Sequence, residues 1–316
     1  MINSYQKSYV NFLSKYLKSQ SCDKLRERRL KVVFDCSNGS SGEVIRQLTT
    51  KNKQLETFII NSIPDGNFPN HSPNPLVKSA TSQLREEVFK RKSDVGIIFD
   101  GDGDRMCLVD NKGRFVETDV TAALLVWHLK PKKIVIDSTI GWSLNKSLSK
   151  NCRVYESPVG DFHLLNSMEK YSADFGCEHS GHYYFKIKKS KNNFYLNSGI
   201  LGALHAINAV SRLPYKLSDF VDLLPKYFRK EVNIKINGKN NFGDLSKKIE
   251  SFFLNPKSYI LNSAHIDGLK MEFQFPNPWW FSIRPSNTEP LIRVSIESEN
   301  KKTLETNLNK IMALIR

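Results

Sequence analysis

The chain has 316 residues, 40% of them apolar and 25% charged, with 47 Lys and Arg against 32 Asp and Glu for a formal charge of +15. This is a globular composition with chain enough for two or three domains, and it excludes disordered, collagenous and coiled-coil classes. No run approaches the ~18 apolar residues that a membrane span needs, and MINSYQKSYVNF lacks the apolar core of a secretory signal, so a cytoplasmic protein is expected.

In chain order, Tyr9, Phe12, Leu13, Tyr16 and Leu17 recur at three- and four-residue spacing, which predicts an amphipathic helix whose apolar stripe must face something. Lys31 to Cys36 (KVVFDC) reads as a buried parallel strand; Ser37, Asn38, Gly39 and Gly42 then turn the chain into a helix from Glu43 to Leu48. A strand from Leu55 to Ile60 and a proline-rich loop, Pro64 to Pro75, precede a helix from about Leu76 to Phe89. Strand Val95 to Phe99 runs into DGDGDR, then a hairpin through Asn111 to Gly113 and a helix from Asp119 to Leu129, which Pro131 ends. The cycle restarts with strand Ile134 to Ile136, helix Ser143 to Leu148, strand Arg153 to Tyr155, helix Phe162 to Tyr171, strand Ala173 to Gly176 and a long helix, Asn197 to Val210.

Beyond Pro214 and Pro225 the order changes. A strand from Arg229 to Ile236 and a helix from Phe242 to Phe253 precede three strands, Leu261 to Ile266, Leu269 to Phe275 and Trp279 to Ile283; strand Leu291 to Glu297 and helix Leu304 to Ile315 follow. The expected fold class is α/β: two consecutive three-layer α/β domains followed by a C-terminal α+β domain.

Charge and cysteines narrow the partners. From Met1 to Lys31 eight basic residues face two acidic ones, so six of the fifteen excess charges sit there. The excess favours anionic partners, whether nucleic acid, anionic lipid or phosphorylated metabolites, without choosing among them; a solvated basic face is the plain reading. A nucleic-acid arm is the weaker one and requires a steep salt dependence of affinity. Cys22, Cys36, Cys107, Cys152 and Cys177 are odd in number and lack CxxC spacing, which argues against a disulfide framework and a zinc ribbon.

Three segments carry candidate chemistry. Asp100, Asp102 and Asp104 place three carboxylates at alternate positions of a glycine-rich loop, where they repel unless a divalent cation lies between them. Oxygen-only donors point to Mg²⁺ first, with Mn²⁺ or Ca²⁺ as alternatives; Arg105 and Asn111 stand where an EF-hand needs Gly and Glu, and a solvated acidic turn is the bland alternative. Arg284-Pro285-Ser286-Asn287-Thr288-Glu289-Pro290, followed by Arg293, combines a guanidinium fork, hydroxyl donors and a proline-fixed turn, a plausible phosphate cup or a hydrogen-bonded surface turn. In Cys177-Glu178-His179-Ser180-Gly181-His182, Glu178 and Ser180 suit hydroxyl-rich ligands such as sugars and His182 suits proton exchange; zinc is the minor alternative and a structural hairpin the plain one.

Together and in this order, VVFDCSNGSSG, FPNHSPNP, DGDGDR, DFGCEHSGHYYF and RPSNTEPLIRV resemble the phosphohexomutase superfamily, specifically its phosphomannomutase/phosphoglucomutase branch, over nearly the whole chain. The resemblance implies domains 2, 3 and 4 of that family over residues 26–130, 131–222 and 223–316, after a connector helix in 1–25. It implies Mg²⁺ on Asp100, Asp102 and Asp104, with Arg105 positioning a phosphorylated serine and His182 supporting proton transfer. Glu178 and Ser180 would grip sugar hydroxyls, and Arg284, Ser286, Asn287, Thr288 and Arg293 would hold the phosphate not being transferred. The implied reaction interconverts hexose 1-phosphate and hexose 6-phosphate, of mannose or glucose, through a hexose 1,6-bisphosphate.

The departures carry weight. The family's phosphoserine loop, TASHNP-like, has no counterpart here; Asn70-His71-Ser72-Pro73-Asn74-Pro75 imitates it but belongs to the FPNHSPNP stretch, so Ser72 is not the expected phosphoryl carrier. Thr139, Phe162 and Cys177 stand where relatives often carry a basic residue, a polar side chain and a glycine. The expectation is therefore a mutase incomplete by itself, with a phosphorylated hexose as ligand and a phosphoserine-bearing domain supplied in trans or from an upstream segment. A non-catalytic sugar-phosphate binding or regulatory module is the alternative. The stripe of the first helix, uncovered by loss of a neighbouring domain, is expected to be free for docking or self-association. Neither membrane nor nucleic acid is an expected partner.

Overall fold

Alternating burial on both sides of a strand requires covering layers on both sides of its sheet, and the first strand shows how these arise. The structure, a computed structural model, describes residues 4–17, 29–50, 52–148, 151–189, 192–235, 242–254, 260–286 and 289–315. The chain runs α1 (Ser4–Ser14), β1 (Leu30–Asp35), α2 (Ser41–Thr50), β2 (Leu55–Ile60), α3 (Ser82–Arg91), β3 (Val95–Phe99), β4 (Met106–Asp110), β5 (Phe115–Val116) and α4 (Thr118–Leu129). The first sheet has the order β2-β1-β3-β4-β5, parallel through β2, β1 and β3 and antiparallel beyond. In β1, Val32 and Phe34 join one core while Val33 joins the core beneath α3, with Leu84 and Val88. The strand is buried on both faces, hence its unbroken apolar run.

The second layer repeats the scheme: β6 (Lys133–Asp137), α5 (Trp142–Ser147), β7 (Arg153–Ser157), α6 (Asp161–Tyr171), β8 (Phe175–Cys177), β9 (Tyr183–Lys189), β10 (Asn192–Asn197), α7 (Gly199–Arg212) and α8 (Leu217–Leu223). Its order is β10-β9-β8-β6-β7, with β9 and β10 antiparallel. The third layer is β11 (Phe228–Lys235), α9 (Phe242–Phe253), β12 (Ile260–Ala264), β13 (Leu269–Phe273), β14 (Trp279–Pro285), β15 (Leu291–Ser298) and α10 (Lys301–Ile315), an antiparallel sheet of order β11-β15-β14-β13-β12 with its own core under α9 and α10.

Two expectations are corrected, and two features are added to the sequence reading. The third helix begins at Ser82 rather than near Leu76, because residues 76–81 fold as successive turns after Pro75. The β9–β10 hairpin and α8 escape the sequence reading: Lys186, Lys188 and Lys189 break the apolar run of β9, and its register is set by pairing with β8 and β10. The first two layers also share a core. A helix apolar on all sides is a buried one, and α4, buried from Thr118 to Val126, lies with α7 in one continuous core that includes Phe34 and Ile97 of the first sheet and Ile134 and Phe175 of the second.

The second correction concerns α1. Its stripe is not free for docking: Leu13 and Leu17 are buried and Tyr9, Val10, Phe12 and Tyr16 pack on the same shared core. Asn208 Nδ2 donates to the Tyr16 carbonyl at 2.7 Å, and Tyr9 Oη lies 3.2 Å from Ser198 Oγ, so α2, which packs on α1, and α7 together receive the stripe. The basic stretch at residues 18–28 lies outside the described residues.

The third layer docks on the second through buried polar groups. Glu297 accepts from the Trp142 backbone N–H (2.9 Å) and pairs with Arg229 (3.4 Å), and Lys270 pairs with Glu156 at 2.8 Å. Glu297, Glu117, Asp119, His179 and Arg229 line a cavity of about 570 Å³ at this junction. Burial pushes the Glu297 carboxyl up to about 7, against the opposing pull of Arg229 and with help from Asp119. A carboxyl raised in the fold favours the protonated native state, so this contribution is present in full below about pH 4.5 and is lost as pH rises toward 7. Between pH 5 and 8, urea unfolding of Glu297→Gln should gain about 2–3 kcal/mol relative to the parent chain. Parallel pH profiles of the two proteins would contradict the assignment.

Candidate active site

A strand that ends in an aspartate recurs in both α/β layers, and it aims the loops beyond. Asp35 at the end of β1 accepts from Ser37 N and from Asn61 Nδ2, and its other oxygen meets His71 Nε2 at 3.1 Å. That contact, opposed by burial, raises the His71 pKa above its ordinary value. Asp137 at the end of β6 accepts from both the N–H and the hydroxyl of Thr139 and from His179 N; burial, with the nearby Glu178 charge, raises it. The FPNHSPNP loop is thus tied to β1, and the loop of Glu178 to β6.

DGDGDR follows β3. Asp100 is 2% exposed and accepts from Gly103 N (3.0 Å), Arg105 N (3.1 Å) and Arg105 Nε (2.6 Å), which folds the loop back on itself. Gly103 takes φ +79, a conformation open to glycine at little cost. Oxygens of Asp100, Asp102 and Asp104 all lie within 4.8 Å of one another. Such like charges repel by roughly 3 kcal/mol per pair at an effective dielectric constant near 20, and Arg105 offsets this only at Asp100. The donor set is oxygen alone and clustered, which fits a hard divalent cation.

The loop is also clamped from below. Ser40 donates its N–H to the Gly101 carbonyl and its hydroxyl to that of Asp102, each at 2.9 Å. A Cβ on Gly39 would overlap the Gly101 carbonyl oxygen, a backbone atom with no room to retreat. Gly39→Ala should cost about 2–3 kcal/mol and lower the melting temperature by several degrees, which differential scanning calorimetry checks; an unchanged melting temperature would refute the clamp.

The Glu178 loop meets this cluster. Met106 N donates to the Gly181 carbonyl at 3.0 Å, and Arg105 and His182 form an isolated antiparallel bridge. His182 Nε2 lies 3.3 Å from Asp104 Oδ2 and its Nδ1 3.1 Å from Glu178 Oε2, while Ser180 Oγ is 2.7 Å from the same Nδ1. Burial works against a charged imidazole, but the bonds to Asp104 and Glu178 outweigh it and raise His182 to about 9. Glu178, 2% exposed, also accepts from Gly160 N (2.7 Å) and Tyr184 Oη (2.9 Å); burial opposes its charge, yet the His182 bond and that N–H hold its pKa below the ordinary carboxylate value.

The third segment sits between β14 and β15, where Arg284 and Arg293 are cross-strand neighbours. Arg284 Nε lies 3.8 Å from Asp267, Arg293 lies 3.7 Å from Glu289, and Ser286 N donates to the Leu291 carbonyl. Asn287 and Thr288 lie outside the described residues. Asp267 joins this segment to the others, for its Oδ2 accepts from Val159 N, next to Gly160. Polar contacts therefore run unbroken from Asp104 through His182, Glu178 and the 159–160 turn to Asp267 and Arg284.

Several members of that run carry no sequence signal. Asn197 donates to Asp161 (2.9 Å) and to Asp104 (3.4 Å), and Asn74 accepts from Arg105 (3.4 Å); these meet across 36, 93 and 31 residues of chain. Asp137 was findable, because it ends an apolar strand as Asp35 does, with a hydroxyl residue two positions on. Thr139 spends its hydroxyl on Asp137, Phe162 is 72% exposed at the start of α6, and Cys177 is buried.

This arrangement has counterparts in known proteins. Residues 7–113 match phosphoglucomutase/phosphomannomutase alpha/beta/alpha domain II, residues 117–227 its alpha/beta/alpha domain III, and residues 261–314 its C-terminal domain. The chain belongs to the phosphoglucomutase/phosphomannomutase family. A phosphomannomutase of Vibrio cholerae is 31% identical over 324 residues, covering 98% of this chain and 65% of that protein. The chain spans about two thirds of the length of the curated relatives it matches. A family member from Burkholderia thailandensis has the same fold, with a TM-score of 0.77 at 22% identity over 98% of this chain and 63% of that one. The N-acetylphosphoglucosamine mutase of Aspergillus fumigatus, solved with GlcNAc-6P and magnesium, matches with a TM-score of 0.66 at 14% identity over 98% of this chain and 70% of its own.

Proposed function

We propose that this chain forms the cation, sugar and phosphate subsites of a phosphohexomutase that interconverts hexose 1-phosphate and hexose 6-phosphate of mannose or glucose. The unbroken polar run from Asp104 to Arg284 carries the reading, because a bisphosphate intermediate needs an anion cradle and a phosphoryl-transfer centre at a set separation within one cleft. Residues 26–130, 131–222 and 223–316 would supply the three subsites in turn, with 1–25 as connector. Mg²⁺, as in the complex solved for the Aspergillus mutase, suits Asp100, Asp102 and Asp104; when bound it would neutralise charge developing on the transferred phosphoryl group.

The chain's own residues would do the rest. Arg105, held by Asp100 and Asn74, would orient a phosphoserine supplied by a domain other than these three, in trans or upstream. Glu178 and Ser180 would accept from and donate to sugar hydroxyls, and His182, held between Glu178 and Asp104, would support proton transfer from the attacking hydroxyl to the leaving oxygen. Arg284, Ser286, Asn287, Thr288 and Arg293 would hold the distal phosphate, which lets the sugar present either end in turn.

The test mixes the protein with Mg²⁺, glucose 1,6-bisphosphate and the phosphorylated first domain of a relative, and follows mannose 1-phosphate by ³¹P NMR. Appearance of the 6-phosphate supports the reading. Calorimetric binding of mannose 6-phosphate without turnover selects the non-catalytic module instead, and absence of both removes the two together.

A further inference from the structure

A second cavity, of about 610 Å³, opens in the third layer between the end of α9, the β13–β14 turn and one face of α10. Trp279 begins β14 and Arg284 nearly ends it, so the cavity lies about 15–20 Å of strand away from the phosphate loop. Its size falls in the range of small-molecule sites. Five aromatic rings line it: Phe253, Phe273 and Trp279 form a packed wall, with Phe273 and Trp279 stacked at 4.2 Å, while Phe252 and Phe275 stand at the rim, 49% and 60% exposed.

The α10 side is polar. Lys302, Thr303, Thr306, Asn307 and Lys310 recur at the spacing of one helical face, and all five line the cavity. Asn307 is only 8% exposed and forms no side-chain hydrogen bond with any described residue, so its amide is open to a partner in the cavity. Neither Lys302 nor Lys310 makes an ion pair with a described residue, and the first turn of α10, where Lys302 lies, contains no acidic residue. Flat apolar walls, a side-by-side donor and acceptor, and two unneutralised cations fit one kind of molecule.

We propose that this cavity is a second ligand site, for an adenine nucleotide. The base would lie against the exposed rings of Phe252 and Phe275 at the rim, with Phe253, Phe273 and Trp279, each at most 5% exposed, as the floor beneath; stacking on such rings is worth about 1–3 kcal/mol. The Asn307 amide would pair with its amino group and adjacent ring nitrogen, the pairing that an amide makes with adenine, and Lys302 and Lys310 would take the phosphates. The site is independent of the mutase reading.

Calorimetric titration of the full chain with ADP decides the matter, with inorganic phosphate and UDP as comparisons. ADP should bind saturably and about 10-fold more tightly than UDP, and mannose 6-phosphate should not displace it. Lys302→Ala/Lys310→Ala, two exposed changes that leave the core intact, should weaken ADP about 10-fold, and Asn307→Leu should remove the preference for adenine. No saturable ADP binding at millimolar concentration, equal affinity in the lysine variant, or loss of binding in Arg284→Ala instead would each overturn the proposal.

Discussion

Replacing Asp102 and Asp104 together by asparagine should weaken divalent-cation binding by about 100-fold or more, since two of three anionic ligands are lost and Asp100 alone cannot hold the ion. The same change should alter the stability of the cation-free protein little, because relief of the repulsion offsets the weaker contacts of position 104 with His182 and Asn197. The side chain of Asp102 is exposed and forms no hydrogen bond with a described residue, so its charge contributes repulsion and little else to the empty loop. The two effects are read in one experiment, thermal melts with and without Mg²⁺: the parent chain rises in melting temperature with the ion, and the variant stays where it is. A solvated acidic turn would give equal Mg²⁺ responses in both proteins, and that result would end the cation reading. Asp100→Asn should behave differently. Its oxygens close the loop on Gly103 and Arg105, so it should lose stability even without metal, by about 1.5–3 kcal/mol for the bond to the guanidinium.

Glu178→Ala should be the most damaging single change in the second layer. One buried carboxylate receives Gly160 N, Tyr184 Oη, His182 and Ser180, and removal leaves these donors facing an apolar void. The expected loss is about 3–5 kcal/mol in urea unfolding, together with loss of measurable mannose 6-phosphate binding. Glu178→Gln separates the two effects: it keeps one carbonyl oxygen for Gly160 N, so stability should recover by more than half, while the amide NH₂ now faces Tyr184 and His182 and binding should stay weak. Full affinity in Glu178→Gln would mean that the carboxylate shapes the loop without touching the ligand.

Secondary structure was legible wherever local chemistry decides it. The runs of β1, β2 and β3, the glycine-rich DGDGDR turn, and α9 from Phe242 to Phe253 follow from periodicity and turn residues, and the structure places them within a residue or two of expectation. Periodicity also showed that α1 has an apolar stripe, yet not its destination. An unpaired amphipathic helix looks the same in sequence whether it awaits a partner or lies on its own chain, and only the packing against α2 and α7 decides. For the same reason α4 looked like one more helix of an α/β repeat, although it lies in a core that both sheets share.

By itself the sequence determined which chemical groups this protein owns and in what order: three carboxylates on one tight loop, a Glu-x-Ser-x-His segment, and a pair of arginines flanking a proline-fixed turn. These are local properties, set by spacing of a few residues. The tertiary structure alone decided that Asp104 touches His182, that Gly160 and Val159 bridge Glu178 to Asp267, and that Asn197 reaches Asp104, because contacts across tens of residues depend on how the sheets stack rather than on any pattern along the chain.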